Sequence, residues 1–262
     1  MNIKSTYVIL YIMNMSIEDK QKAAVFLDLA GDFLGSGYKS EQKDYKFNDE
    51  PLEASGRVSE AILQTSATQN KDFGLDSIEK IAAEIKACKN CSLCEKRLNA
   101  APGEGVSEPL VMVIGEGPGE DEDKQGRPFV GKAGQLLDKM LDSIGLSRTK
   151  NAFIANVVKC RPPNNRDPYP EETASCANFL ERQITILKPK FILVAGKVSA
   201  HSLLKTSESI GKLRGKVYDL HVGSDTFPLL VTYHPAALLR NEEYKRPTWE
   251  DLKLLKSKLT GE

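Results

Sequence analysis

Apolar runs at 110–114, 152–158, 191–195 and 229–233 mark the second half of the chain. Each is short, nearly free of charge and closed by turn-forming or polar residues, the pattern of a strand buried on both faces. Between and after them, apolar positions recur with helical spacing at 132–145, 170–187, 197–205 and 248–259, and a further amphipathic helix is predicted at 76–87. Such alternation argues an α/β domain with a parallel sheet and helices on both faces. Upstream the pattern changes. Ser16 reads as the N-cap of a helix over 16–34, whose apolar face holds Ala23, Phe26, Leu27, Ala30 and Phe33. Residues 36–75 are rich in Ser, Gln, Asn and Lys without periodicity, which reads as a disordered linker. Three parts follow: an N-terminal segment (1–35), a linker (36–75) and a domain (76–262).

Composition changes this picture little. Lys+Arg and Asp+Glu are equal at 36 each, so no global basic field announces nucleic acid. The balance is uneven, however: 1–75 hold 8 basic against 11 acidic side chains and 76–262 hold 28 against 25, which leaves room for a local basic groove. The apolar stretch at 7–13 is too short to span a bilayer, and no small-residue cleavage site follows it, so no membrane role is expected. A translation start at Met13 or Met15 is an equal reading of that stretch. Five cysteines in such a chain point to a reducing, cytoplasmic setting and to metal or cluster ligation rather than disulfides.

Candidate chemistry gathers where strands end. Gly115-Glu116-Gly117-Pro118-Gly119-Glu120-Asp121-Glu122-Asp123 follows the first run directly, and Gly126-Arg127-Pro128-Phe129-Val130-Gly131 comes soon after. The first is not a dinucleotide fingerprint, because its proline and acids do not suit a pyrophosphate; its glycines allow backbone to approach a small ligand. Asp121 and Asp123 read as solvated. Asn156 interrupts the second run, and an amide is costly to bury without partners. Its donor and acceptor lie side by side and can read a pyrimidine edge. Arg161, Asn164, Asn165 and Arg166 stand in a proline-rich loop and suit phosphate contacts. Of three histidines, His201 reads as structural, His221 lies in a hairpin region, and His234 ends the last run on a turn fixed by Pro235. Cys88 and Cys91 form a CxxC pair at a helix end, with Cys160 and Cys176 as a second, separated pair. Four thiolates hold either zinc or a [4Fe–4S] cluster, and spacing alone does not choose; Cys94 is a fifth thiol able to compete.

Together GEGPGEDE, GRPFVGKAGQLL, NVVKCRPPNNRDP and YHPAALLRN, in that order behind CxxC, resemble the family 4 (iron–sulfur) uracil-DNA glycosylases over about 78–259. The resemblance implies a three-layer α/β/α sandwich with a central parallel four-stranded sheet. It implies a structural [4Fe–4S] cluster on Cys88, Cys91, Cys160 and Cys176, leaving Cys94 out. It implies a base excision repair enzyme that flips uracil out of DNA and hydrolyses its glycosidic bond. In that reading Phe129 stacks on the base, backbone at Gly115, Glu116 and Gly117 lines the pocket, Asn156 pairs with the base edge, and His234 donates to uracil O2. Glu116 or Glu122 stabilises the cationic sugar and orients water, with no ranking between them. Arg161, Asn165 and Arg166 contact DNA, and Leu239 and Arg240 lie where a wedge fills the space of the flipped base.

Three alternatives are set beside this one. A relative that cross-links to the abasic site carries an inserted basic loop with an extra histidine; here Gly211-Lys212-Leu213-Arg214-Gly215-Lys216 has none, and Gly117 stands where a glutamine is expected. A non-catalytic binding module conflicts with the intact Glu116, Glu122, Asn156 and His234. A zinc-only nucleotide-binding protein differs in colour, since a cluster protein is brown. The expected partners are uracil-containing DNA, acted on by a monomer, and a protein bound through the helix at 16–34.

Overall fold

The computed structural model describes residues 76–261; the helix read at 16–34 and the linker at 36–75 lie outside the described residues. Four parallel strands form the middle of the sheet: β2 (Val111–Gly115), β3 (Ala152–Asn156), β4 (Phe191–Ala195) and β6 (Asp225–Thr232), counting from a two-residue β1 (Glu104–Gly105). β5 (Val217–Val222) completes six strands in the order β1-β3-β2-β4-β6-β5. β1 and β5 pair antiparallel with β3 and β6 at the two edges. The expected parallel four-stranded centre is therefore present inside a mixed sheet. The sequence pattern did not show the two antiparallel edges: β1 is too short, and β5 too exposed on alternate residues, to leave an apolar run.

β2, β3 and β4 are buried at every position. Their alternate side chains feed two cores. Met112, Ile114, Ile192 and Val194 pack with α1 (Ile78–Ala87) and α4 (Pro170–Leu187) through Ile81, Ile85, Phe179 and Ile184. Val111, Val113 and Leu193 pack on the opposite face with α3 (Lys132–Asp142) and α8 (Lys245–Thr260) through Leu137, Leu141, Leu252 and Leu255. A strand covered on both faces has no polar side to show, hence the uninterrupted apolar runs.

Three short helices escape the hydrophobic pattern: α2 (Glu120–Gln125), α6 (Ile210–Leu213) and α7 (Pro235–Arg240). α5 (Lys197–Leu204) lies where predicted. α2 opens with four acidic residues, which the positive N-terminal end of a helix favours. Asp123 within it is 3% exposed, not solvated as its sequence suggests; its Oδ1 accepts from the backbone N–H of Leu98 at 2.9 Å and of Asn99 at 3.3 Å.

Register decides what the carboxyl edge of the sheet presents. Gly115 stands directly across from Asn156, and Ala195 from Thr232. The chain passes from β2 to β3 on one side and then to β4 on the other, so β2 marks the point where the winding reverses. Open α/β sheets bind ligands at that crevice.

α1 is docked on α4 by Arg182, which forks onto Asp76 at 2.6 and 2.7 Å and also grips Glu84. That bond, with Arg182's charge, holds both carboxyls below their ordinary range. Carboxylates with lowered folded pKa values contribute stability that is present above the unfolded value and lost as pH falls through the folded one. Arg182→Met should therefore cost about 1–2 kcal/mol at pH 7. In urea titrations its deficit against the wild type should shrink towards pH 3.

Candidate functional site

A cavity of about 530 Å³ opens at that edge, and Glu116, Gly117, Glu122, Phe129, Asn156 and His234 all line it. Sequence motifs 118 residues apart from Glu116 to His234 thus meet in one place. Gly115 is the floor beneath. A Cβ there would sit 2.4 Å from the Phe129 ring and 2.5 Å from Asn156 Oδ1, so only glycine lets ring and amide close on each other. Asn156 is 1% exposed, and its Oδ1 has no hydrogen-bond partner among the described residues. A buried orphan acceptor costs stability unless a ligand satisfies it.

Phe129 adopts φ 53°, a left-handed conformation that strains a bulky residue. Several contacts hold it there. Arg148 donates to the carbonyls of Pro128 at 3.0 Å and Phe129 at 2.8 Å while Asp138 anchors its Nε at 3.0 Å. Glu122 accepts from the N–H groups of Val130 and Gly131 at 2.8 and 2.9 Å, and its other oxygen accepts from Gly119 at 3.1 Å. Both oxygens of Glu122 are thereby occupied in tying the acidic helix to the Phe129 loop.

Glu116 differs. No hydrogen bond to its carboxylate is formed among the described residues, and burial, reinforced by repulsion from Asp167 and opposed by Arg240, pushes its pKa up to about 7. His234 is shifted the other way, down to about 4, by burial and then by the Arg240 charge, against the pull of Glu122. Its Nδ1 accepts from Ala236 N–H at 3.2 Å, which leaves the hydrogen of the neutral ring on Nε2. The imidazole lies 5.5 Å from the Phe129 ring, centroid to centroid. A flat ring, an amide edge, a neutral N–H donor and a carboxylate that titrates near neutrality therefore converge on one cavity, a set suited to holding a planar heterocycle and stabilising charge on it.

Asn165, Arg166 and Arg240 also line the cavity, whereas Arg161 and Leu239 do not. Arg161 donates to Asn165 Oδ1 at 2.8 Å and approaches Glu120 at 3.6 Å. Arg166 is engaged by Glu172 through bonds of 2.6 and 2.8 Å. Leu239 is 53% exposed beside the mouth. Sequence reasoning missed Arg148, Asp167 and Tyr233, the last a cavity residue stacked on Tyr244 at 4.3 Å. Asp167 and Tyr233 lie inside the quoted NVVKCRPPNNRDP and YHPAALLRN motifs, which were the signal for them, whereas Arg148 lies in none.

Behind β3, Cys88, Cys91, Cys94, Cys160 and Cys176 border a second, smaller cavity. Arg97 donates to Cys160 Sγ at 2.9 Å and to the carbonyls of Lys86 and Cys88 at 2.8 and 2.9 Å. Burial raises the Cys91 and Cys176 thiols and takes Cys160 up to about 11. A positive group must enter for these sulfurs to ionise fully near neutral pH. Among the described residues, no three His, Cys, Asp or Glu side chains close around one metal ion. Lys159 joins the two sites. It borders the thiol cavity, is 1% exposed, and its Nζ donates to Asn156 O at 2.9 Å and Gln183 Oε1 at 2.8 Å.

Residues 102–253 match the family model of the uracil DNA glycosylase superfamily. The chain is 46% identical over 187 residues to the type-4 uracil-DNA glycosylase of Sulfurisphaera tokodaii, covering 70% of this chain and 84% of that protein. It is 43% identical over 183 residues to the type-4 uracil-DNA glycosylase of Thermotoga maritima, covering 69% and 93%. Against the type-5 uracil-DNA glycosylase of Thermus thermophilus, 117 residues align at 32% identity, covering 39% and 53%.

The Phe129 turn is the point most sensitive to packing. A Cβ at Gly134 would lie 1.9 Å from Phe129 O, so backbone must move to admit it. Gly134→Ala should cost roughly 2–3 kcal/mol in urea unfolding.

Proposed function

Since the chain belongs to the uracil DNA glycosylase superfamily, with type-4 enzymes among its relatives, we propose a division of labour among its pocket residues. The protein is a uracil-DNA glycosylase: it removes uracil from DNA by hydrolysing the N-glycosidic bond, a step of DNA repair. The target nucleotide must leave the stack to reach the cavity. There Phe129 carries the face of the base, and backbone at Gly115, Glu116 and Gly117 closes around it.

Asn156 is the observation that carries this reading. Its orphan Oδ1 accepts from uracil N3–H, and its amide N–H donates to O4. Cytosine has a bare N3 and an amino group at C4, so both contacts fail together. A site built to bond a polar edge rejects the analogue that leaves it unpaired. His234 Nε2–H faces O2. As the N1–C1′ bond breaks, its electron pair passes to the base, and a neutral donor at O2 bonds the growing anion more strongly than the ground state. The sugar becomes cationic, Glu116 stabilises it, and water attacks C1′ with its proton passing to the Glu116 carboxylate. Glu116 thus takes the catalytic part, because Glu122 spends both oxygens on backbone N–H groups. Arg240 and Asn165 meet the DNA at the rim, Leu239 enters the duplex beside the flipped nucleotide, and Arg161 and Arg166 support the loop that faces it.

The buried thiols fit an iron–sulfur group. Five sulfurs border one cavity without meeting at a point. Four of them as thiolates are the donor set a [4Fe–4S] cluster takes, the group that the family resemblance implies. Cys88, Cys91, Cys160 and Cys176 would hold it, and it would supply cross-linking of the loops around β3 rather than chemistry. Free cysteines support a cytoplasmic enzyme, which we read as acting as a monomer.

A labelled oligonucleotide with one deoxyuridine, cleaved by alkali after incubation, tests the function. Breakage should occur at U and not at C or T, with Asn156→Ala and His234→Ala each slower by about 100-fold or more. Uracil release by both variants at wild-type rates would overturn the site. Because Glu116 must be ionised, kcat/KM should rise with pH through a midpoint near 7 and level off above it, while Glu116→Gln is slow and loses that limb. His234, neutral down to about 4, adds no limb above pH 5.

Metal analysis tests the cluster. Anaerobically purified protein should be brown with about four irons per chain, and Cys176→Ser should lose both colour and iron. Zinc in their place would refute the assignment.

A further inference from the structure

We infer that Tyr169 is a stacking platform for the nucleobase next to the flipped uridine, an inference that rests on the uracil reading of the neighbouring cavity. Tyr169 is 51% exposed, yet it is fastened at every joint. Pro168 and Pro170 flank it and stiffen the backbone on both sides. It is the N-cap of α4, and its backbone N–H donates to Glu172 Oε2 at 2.7 Å. The Arg166 guanidinium carbon lies 3.7 Å from the ring centroid, and Arg166 is held by Glu172, whose side chain is 1% exposed. Arg166 also donates to Asp167 O at 2.9 Å. Arg166 and Asp167 line the uracil cavity, and the ring, outside that lining, packs against Arg166.

This arrangement differs from a stray surface aromatic. The Glu172 carboxylate neutralises Arg166, which is then poorly free to clamp a phosphate. What it does instead is fix the ring in place. A rigid exposed aromatic has already lost the rotamer freedom that binding would otherwise cost it. Every base offers a π face, and aromatic side chains on single-stranded paths hold successive bases by stacking with little sequence preference. A base can lie on Tyr169 only if it has left the duplex stack or comes from a single strand. The platform therefore favours uracil in unpaired or distorted DNA.

The test uses the full chain, single-stranded oligonucleotides carrying deoxyuridine with 2-aminopurine on one side or the other, and a non-hydrolysable uridine analogue for binding. Wild type and Tyr169→Phe should quench 2-aminopurine on one flank, and Tyr169→Ala should not. Tyr169→Ala should raise KM for the single-stranded substrate by roughly 10-fold, the loss falling in KM rather than in kcat. Equal quenching by Tyr169→Ala, or an unchanged KM, would overturn the inference. So would a Tyr169→Phe variant as weak as Tyr169→Ala, since the hydroxyl and not the ring would then be responsible. If the wild type released no uracil, the reading of the cavity would fall, and the flank fluorescence would still decide whether Tyr169 holds a base.

Discussion

The pairing of β2 with β3 is the constraint on which the site depends. It sets Gly115 across from Asn156 and brings the Phe129 ring and the amide to the same floor. Because a strand alternates faces with period two, a slip of one residue would send Asn156 to the opposite core and bring an apolar side chain to the pocket. The register is protected by burial: every side chain of both strands is inside, and those on each face belong to a different helix layer. A slip would exchange both cores at once. Stability of the sheet and placement of the Asn156 amide in the pocket are therefore one property.

The same strand joins the pocket to the thiol cavity. Lys159 follows β3 by three residues, donates to the Asn156 carbonyl and borders the sulfurs. Burial lowers its pKa to about 8, so the ammonium depends on its surroundings for its charge. Thiolates around a cluster would be negative neighbours for it, and Arg97 is a second cation on the same cavity. A polynuclear group there would fasten the far end of β3 through covalent bonds to Cys160 and, from other elements, Cys88, Cys91 and Cys176. This gives a non-reacting cluster a physical use. It would hold the peptide of Asn156 through the loop that follows, beyond the bonds that the Val157 and Val158 N–H groups still make to the carbonyls of Gly115 and Glu116 at 2.9 and 3.1 Å.

What the sequence made legible follows the hydrophobic effect. The four central strands are apolar because both faces are covered, and Asn156 stood out because an amide in such a run needs a reason. The edge strands were illegible for the converse reason: β5 is exposed on alternate residues, and β1 is two residues long, held by pairing with β3 alone. Residues whose state is set by tertiary contacts were misread. Asp123 looks solvated and is buried; Lys159, on which the sequence reading was silent, is among the most enclosed side chains. Glu116 and Glu122 carry the same side chain in the same motif. They separate only in the fold, where one carboxylate is consumed by three N–H groups and the other has no hydrogen-bond partner among the described residues.

Burial then acts on the pocket's two titrating groups in opposite directions with one chemical result. Desolvation disfavours charge, so it raises Glu116 and lowers His234. In the proposed mechanism the neutral His234 imidazole, with Nδ1 occupied by the Ala236 N–H, offers its one N–H to O2. The carboxylate, poorly solvated and without a hydrogen-bond partner, gains most when a positive charge appears beside it, which happens only as the glycosidic bond breaks. In the proposed mechanism low solvation thus leaves both groups weakly satisfied in the resting pocket and better satisfied in the transition state, which is the difference that accelerates a reaction.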